Sequence, residues 1–247
     1  MIVMAINYLN ISPNDLPGHM FKYMKLEYAI ESIKNDTLWF ANPEEWRDPY
    51  ESYFLDNAYD KDNVPFDFPL EKGKLYASCF TTLPNSEAQW NAYTSGLGIM
   101  CQLSTNKFLV ELDKLSSDYD VYVGKVAYLK TATLKLQDVS AILSAASFPN
   151  TYSDVEKALM LMLCKRVAFQ YESEIRVFLI PKAEANYSKK GLNINVGLKN
   201  ITDAYTISPT DRNVQEVIKD SLKSTLGVKS VNCATLYNSA INQVLNW

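Results

Sequence analysis

Residues 172–181 read Glu-Ser-Glu-Ile-Arg-Val-Phe-Leu-Ile-Pro and form the centre of the predicted fold. The β-branched and other apolar residues of this stretch predict a strand, which Pro181 ends because proline lacks the backbone donor that a strand needs. Side chains alternate along a strand, so Glu172, Glu174 and Arg176 are expected on one side, with the apolar residues between them facing a core. The charged side is either a solvated ladder or the lining of a cleft.

Strands and helices are mixed on both sides of this stretch. Apolar spacing predicts further strands over residues 21–24, 38–41, 74–82, 98–104, 119–129, 192–196, 205–207 and 228–236. It predicts helices over residues 26–35, 86–95, 107–115, 136–146, 153–169 and 211–226. This order lacks regular βαβα alternation and therefore favours an α+β fold, with a mixed, largely antiparallel sheet and flanking helices.

The domain organisation follows from the same pattern. Residues 1–19 are expected to be an N-terminal lead-in, and residues 20–247 a single α+β domain with a helical insertion around 136–170. Within that insertion, Ser153 followed by Glu156 is typical of a helix N-terminus with a capping box. No internal repeat or compositional break in the sequence forces a further boundary.

Composition excludes several classes of function. The chain has 247 residues, of which 47% are hydrophobic, so a disordered chain is not expected. Its formal net charge of -4 provides no general basic surface for nucleic acid, although a local patch is compatible with it. His19 is the only histidine, which excludes sites that need two. Glycine-rich phosphate loops and the G-x-S-x-G nucleophile motif do not occur in the sequence.

The cysteines and the apolar segments bear on compartment and metal binding. The four cysteines form no C-x-x-C pair, which favours free thiols in a reducing compartment over a zinc or redox centre. The apolar start, Met1–Ile6, is too short for a secretory signal, and no stretch approaches the roughly 20 apolar residues of a membrane span. We therefore expect a cytoplasmic protein of bacterial type, without a membrane span and without a bound metal.

Two further groups of residues are candidates for ligand binding. Lys22 and Tyr23 lie on the first predicted strand, and Ser78–Phe80 lies on another. Trp90 and Tyr93 are three residues apart on a predicted helix and so share a face. Such aromatic residues either pack in a core or stack on a ligand.

These residues, taken in order, resemble the bacterial domain-of-unknown-function family 2971. The resemblance covers most of residues 20–210. The segments that carry it are Lys22-Tyr23, Ala29–Ile33, Leu38–Pro43, Asp48–Glu51, Ser78–Phe80, Trp90–Tyr93, Gly98 and Glu172–Arg176.

A more distant similarity is to ADP-ribosyltransferases, which act on NAD. It matches Lys22-Tyr23, Ser78 and Glu174, with Glu172 two residues before the last. The resemblance implies that a carboxylate stabilises the cation formed when the glycosidic bond of NAD breaks. It also implies that Lys22 contacts the diphosphate and that Tyr23 or Tyr93 stacks on nicotinamide. The expected catalytic residues are Glu174 and Glu172, and the expected ligand-binding residues are Lys22, Tyr23, Asn42, Asp48, Ser78, Phe80, Trp90, Tyr93 and Arg176.

Two other hypotheses remain open from the sequence. The first is a non-enzymatic module in a defence or stress setting, in which aromatic residues such as Trp39, Trp46 and Trp90 bind a nucleic acid or a protein partner. The acidic balance weakens the nucleic-acid version. The second is a catalytically inactive scaffold, in which Glu172, Glu174 and Arg176 only stabilise the fold.

Overall fold

The computed structural model describes residues 5–46, 48–52, 58–59, 62, 64–70, 73–136, 138–149, 151–183 and 190–236. Within them the strands are β1 (Ile6–Tyr8), β2 (His19–Lys25), β3 (Thr37–Ala41), β4 (Tyr76–Thr81), β5 (Gly98–Ser104), β6 (Tyr119–Lys125), β7 (Ala127–Leu129), β8 (Cys164–Arg166), β9 (Glu174–Pro181), β10 (Gly191–Asn195), β11 (Thr202–Ile207) and β12 (Val231–Cys233). The helices are α1 (Leu26–Asn35), α2 (Pro49–Ser52), α3 (Glu87–Thr94), α4 (Thr105–Lys114), α5 (Thr131–Leu134), α6 (Val139–Ala145), α7 (Asp154–Leu161), α8 (Leu198–Ile201) and α9 (Arg212–Leu226). The predicted α+β class, with a mixed and mostly antiparallel sheet, is confirmed.

The chain forms two compact units. The first unit comprises Met1–Leu16, Trp39–Cys79 and Leu112–Asn193, and the second comprises Pro17–Leu38, Phe80–Glu111 and Ile194–Trp247. A compact unit need not fold independently, so the expected single domain over residues 20–247 stays a prediction. Residues 1–19, expected as a lead-in, include the strand β1.

In the first unit the sheet is built around β9, the strand predicted from residues 172–181. It pairs antiparallel with β6, with Val177 opposite Val123, and β6 pairs in parallel with β1. On its other side β9 lies next to β4. Strand β9 is buried over most of its length, and helices α6 and α7 contribute to the same core cluster as Phe178.

The segment 119–129, predicted as one strand, divides into β6 and β7. Strand β6 ends at Lys125, and the N–H of Val126 donates to the Glu174 carbonyl at 2.9 Å. Strand β7 then pairs in parallel with β8. Gly124 lies just before the division, where a Cβ would come within 2.3 Å of the Leu163 side chain. A larger residue at this position would therefore require the buried Leu163 side chain to move.

The predicted helix over residues 153–169 is wrong in its second half. Its start is confirmed, because Ser153 and Glu156 form the expected capping box. Helix α7 ends at Leu161, however, and Cys164–Arg166 forms β8, followed by a 3-10 helix over Val167–Glu172. The apolar run through residues 158–164 is buried throughout, and such a run does not distinguish a buried helix from a buried strand.

The second unit has its own strands and caps. Strand β5 pairs antiparallel with both β2 and β11, and β11 pairs in parallel with β12. Helix α9 begins after Asp211, whose carboxylate accepts from the N–H groups of Asn213 and Val214, and ends at Gly227 in the left-handed region. In the part of the chain that the structure describes, no helix combines the length and the apolar character needed to span a membrane.

Candidate functional site

The first unit buries a group of charged side chains, here called the charge cluster. Its members among the described residues are Asp48, Glu51, Lys165, Arg166, Glu172, Glu174 and Arg176. All have side chains at most 8% exposed except Arg166, which is 29% exposed. The solvated ladder considered for residues 172–176 is therefore wrong. A buried charge costs several kcal/mol unless it is paired, so the pairing within the cluster decides what it can do.

Arg176 lies at the centre of the charge cluster. It projects from β9, and its Nε and one terminal nitrogen donate to the two Glu174 oxygens at 2.9 and 3.0 Å. The same terminal nitrogen donates to Glu51, which the short helix α2 carries, and the other donates to the Met162 carbonyl. The guanidinium also lies 4.4 Å from the centre of the Trp46 ring. Arg176 is thus held on all its polar edges.

Lys165 joins three carboxylates. Its Nζ lies 3.1 Å from both Glu51 Oε1 and Glu174 Oε2, and it also donates to Glu172. Burial alone would lower the pKa of Lys165, but the attraction of these carboxylates outweighs burial and raises the pKa above its usual value. Lys165 is therefore a permanent cation, and it is not a general base.

Glu174 accepts hydrogen bonds from both buried cations, two from Arg176 and one from Lys165. Burial would raise its pKa, but Arg176 and Lys165 outweigh burial and lower the pKa to about 2. A hydrogen bond from the Cys79 thiol acts in the same direction. The backbone N–H of Glu174 donates to the hydroxyl of Tyr128 at 2.9 Å, which fixes the start of β9. Glu174 is therefore a fixed negative charge at neutral pH.

Glu172 reaches the cluster from a different element than expected. It ends the 3-10 helix Val167–Glu172, and Ser173 adopts a left-handed conformation with φ 44° before β9 begins. The prediction that Glu172, Glu174 and Arg176 project from one strand is thus wrong for Glu172. Its carboxylate nevertheless contacts Lys165, so the three predicted residues do come together.

Arg166 forms the outer part of the cluster. Its Nε and one terminal nitrogen donate to the two oxygens of Asp48, both at 3.1 Å. Its guanidinium lies 4.9 Å from the centre of the Tyr50 ring and 5.1 Å from that of Phe169. The Phe169 ring is also 5.1 Å from Lys165 Nζ, which links the outer and inner parts.

The described members of the cluster carry unequal numbers of positive and negative charges. Its described members comprise four carboxylates and three cations, which leaves one negative charge in excess when all are ionised. The inner part alone has three carboxylates against Lys165 and Arg176. A buried excess of negative charge favours a cationic ligand or a reaction that develops positive charge.

The pKa shifts give a first testable expectation, the pH dependence of stability. Glu174 has a folded-state pKa of about 2, below its usual 4.5, so its contribution is fully present above about pH 4.5 and is lost as the pH falls toward 2. Lys165 has a raised pKa, so its contribution is present below 10.5 and is lost only in strong base. Below pH 4.5, we expect the urea concentration at the unfolding midpoint to decrease as the pH falls. This decrease should be less steep in Glu174→Gln. Equal acid dependence of the two proteins would contradict the assignment.

Two other predicted residues of the first unit have structural partners. Asn42 begins the 3-10 helix Pro43–Glu45, where its side chain accepts from the Glu44 N–H at 3.0 Å. The Ser78 hydroxyl is buried in β4 and donates to the Trp39 carbonyl at 3.0 Å. Asp48 also accepts from the Tyr50 N–H at 3.1 Å. Asp48 therefore fixes both the start of α2 and the guanidinium of Arg166.

The remaining predicted residues belong to the second unit. Lys22 Nζ lies 4.9 Å from the centre of the Phe80 ring. Tyr23 packs edge-on against Trp90, with the two ring centres 4.7 Å apart, and its hydroxyl donates to the Leu83 carbonyl. Burial raises the pKa of Tyr23. Trp90 is buried whereas Tyr93 is 42% exposed. The division between the units falls between Cys79 and Phe80, so Ser78 and Phe80 belong to different units.

Sequence reasoning missed three members of the cluster, namely Glu51, Lys165 and Arg166, and it considered Trp46 as a stacking residue but not as a contact of Arg176. Two of them carried a usable signal. Lys165 and Arg166 directly follow seven apolar residues, and a cation placed at the end of a buried run requires a buried partner. Glu51 and Trp46 carried no such signal, because their contacts are made with residues more than a hundred positions away.

Within the described ranges, no group of three or more His, Cys, Asp or Glu side chains is arranged to hold a metal ion. Comparison of the chain with protein-family models, with curated proteins and with solved structures found no match.

Proposed function

We propose that the protein is an NAD-cleaving enzyme, an ADP-ribosyltransferase-like transferase or an NAD glycohydrolase, whose charge cluster stabilises the cation formed in the reaction. The observation that carries this proposal is the buried carboxylate of Glu174, which Arg176 and Lys165 hold in place and whose pKa they lower. The residues that support it all lie in the first unit. The expected ligand-binding roles of Lys22, Tyr23 and Phe80 stay predictions.

The chemistry requires a fixed negative charge rather than a proton donor. When the bond between the ribose C1′ and the nicotinamide nitrogen breaks, its electron pair neutralises the positively charged ring, and positive charge develops on the ribose. A preorganised carboxylate lowers the energy of that state. The ribosyl cation then combines with water, which releases a proton and gives ADP-ribose, or with a nucleophile of a target molecule. In this scheme Glu174 and Glu172 supply the negative charge, and no general acid is needed for the first step.

The test compares NAD⁺ with NADH, because only NAD⁺ has a cationic nicotinamide ring. At ten times its Kd, we expect NAD⁺ to raise the Tm by about 3–6 °C. NADH should give a smaller shift, and nicotinamide should be released from NAD⁺ in a chromatographic assay. Equal shifts with NAD⁺ and NADH, or no nicotinamide release at millimolar NAD⁺, would contradict the proposal. We place the enzyme in the cytoplasm, in keeping with the four free cysteines.

A second candidate function is a binding module without catalysis. It is favoured by exposed rings in the first unit, since Trp39 is 41% and Tyr171 is 40% exposed, and exposed rings stack on the bases of single-stranded nucleic acid. Filter binding of RNA and DNA at low salt tests this candidate. Retention that is lost in Trp39→Ala would support it, and no retention would rule it out.

A further inference from the structure

The guanidinium of Arg166 has donors that its known partners leave unused. An arginine has five N–H donors, and Asp48 accepts from Nε and from one terminal nitrogen. Three N–H groups remain: both on the other terminal nitrogen and one on the nitrogen that Asp48 already contacts. No described residue accepts from them. Two of these donors, one from each terminal nitrogen, form the end edge of the guanidinium, which is a fork that can bind two oxygens of one anion.

The surroundings of Arg166 hold this fork in place. Asp48 fixes one edge of the guanidinium, and the rings of Tyr50 and Phe169 lie against it at 4.9 and 5.1 Å. The Asp48 side chain is 7% exposed whereas that of Arg166 is 29% exposed, so the supporting carboxylate is inside and the arginine reaches solvent. Side chains held in this way lose little entropy when they bind a ligand.

Among the described cations of the charge cluster, Arg166 is the most exposed and is the one that a ligand can reach. Lys165 and Arg176 are buried, and their donors are taken by Glu51, Glu174 and other acceptors. Within the described part of the cluster, an incoming anion can therefore meet only Arg166 without displacing an existing ion pair. The described part of the cluster thus has two buried cations enclosed by carboxylates and, at its edge, an arginine that is paired with Asp48 and still has N–H donors to offer.

We propose that the end edge of Arg166 is an oxyanion site that binds the diphosphate of a dinucleotide ligand. The naming of a dinucleotide rests on the proposed function, since NAD⁺ combines a cationic ring with an anionic diphosphate. The fork geometry itself fits any phosphate or carboxylate, so inorganic pyrophosphate and malonate are the probes that distinguish the two kinds of anion. A phosphate site binds pyrophosphate more tightly than malonate.

The experiment measures pyrophosphate binding by calorimetry to the full chain and to three variants. Arg166→Lys keeps the charge but removes the fork, and we expect it to weaken binding at least 10-fold. Arg166→Gln should weaken it further. Lys157→Gln is the matched control, because Lys157 is in the same unit, is 30% exposed and is paired with Asp154. It removes one positive charge without touching the fork, and we expect a change below 2-fold.

Three outcomes would overturn the proposal: no pyrophosphate binding by the unmodified protein, equal Kd values for the unmodified protein and Arg166→Lys, or equal losses in Arg166→Gln and Lys157→Gln. Should the Arg166 variants fail to fold, the NMR signal of the Arg166 Nε–H in the unmodified protein replaces them, and it must shift on titration with pyrophosphate. Nicotinamide release is assayed separately. Pyrophosphate binding without nicotinamide release would support the oxyanion site and contradict the proposed enzyme activity. Nicotinamide release without pyrophosphate binding would support the activity and contradict the oxyanion site.

Discussion

Glu174→Gln is expected to lower the free energy of unfolding by about 3–5 kcal/mol and to abolish nicotinamide release. The substitution removes the negative charge that Arg176 contacts through two nitrogens and Lys165 through one. Two buried cations then lose part of their compensation, while the shape of the side chain is kept. Urea denaturation monitored by circular dichroism measures the stability, and activity is assayed below the unfolding range, where the variant is folded.

Glu172→Gln is the matched variant for this experiment. It removes one carboxylate from the same cluster but leaves both bonds between Arg176 and Glu174 intact. We expect a loss of about 1–3 kcal/mol, as for a buried hydrogen bond to a charged group. A larger loss in Glu172→Gln than in Glu174→Gln would contradict the assignment of Glu174 as the main partner of Arg176. Full activity of a folded Glu174→Gln would remove Glu174 from catalysis and leave it a structural role.

Lys165→Met is expected to be at least as destabilising as Glu174→Gln, because three buried carboxylates lose a cation that they share. Removing one partner of a buried ion pair costs about 3–5 kcal/mol, and Lys165 contacts Glu51, Glu172 and Glu174 at once. The measurement is again the free energy of unfolding in urea. Lys182→Met serves as the control, because Lys182 is 44% exposed and its loss should cost no more than about 1 kcal/mol.

A double variant tests whether the loss is electrostatic. Adding Glu172→Gln to Lys165→Met removes one of the carboxylates that Lys165 contacted, so the double variant should be more stable than Lys165→Met alone. The coupling energy should be about 0.5–3 kcal/mol. Additive losses would mean that Lys165 stabilises the unit by packing and not by charge.

Much of the fold could be predicted from local signals in the sequence. The strand β5 has the predicted bounds, Gly98–Ser104, and helix α9 lies between Asp211 and Gly227, which are its caps. These signals are local, so the sequence contains them in full. The end of α7 could not be predicted, because the strand β8 is defined by its pairing with β7, in which each residue pairs with one 37 positions earlier.

The candidate site could be predicted only in part, for a related reason. Alternation along β9 placed Glu174 and Arg176 together, and their mutual hydrogen bonds follow from that spacing. The burial of these charged side chains could not be inferred, since alternating acidic and basic residues are equally typical of a strand with one face in solvent. The burial of Arg176 depends on Trp46 and Glu51, which are brought close by the tertiary fold alone.

Strand β8 sets two consecutive cations at different depths, with Lys165 inside the cluster and Arg166 at its edge. Deletion of one residue from the buried pair Met162–Leu163 would move Arg166 into the place of Lys165 and leave Asp48 facing the exposed Val167. Insertions and deletions in this segment should therefore be far less tolerated than substitutions at Val167 or Ala168. In relatives that share this chemistry, we expect the number of residues between α7 and the two cations to stay constant while the exposed residues after them vary.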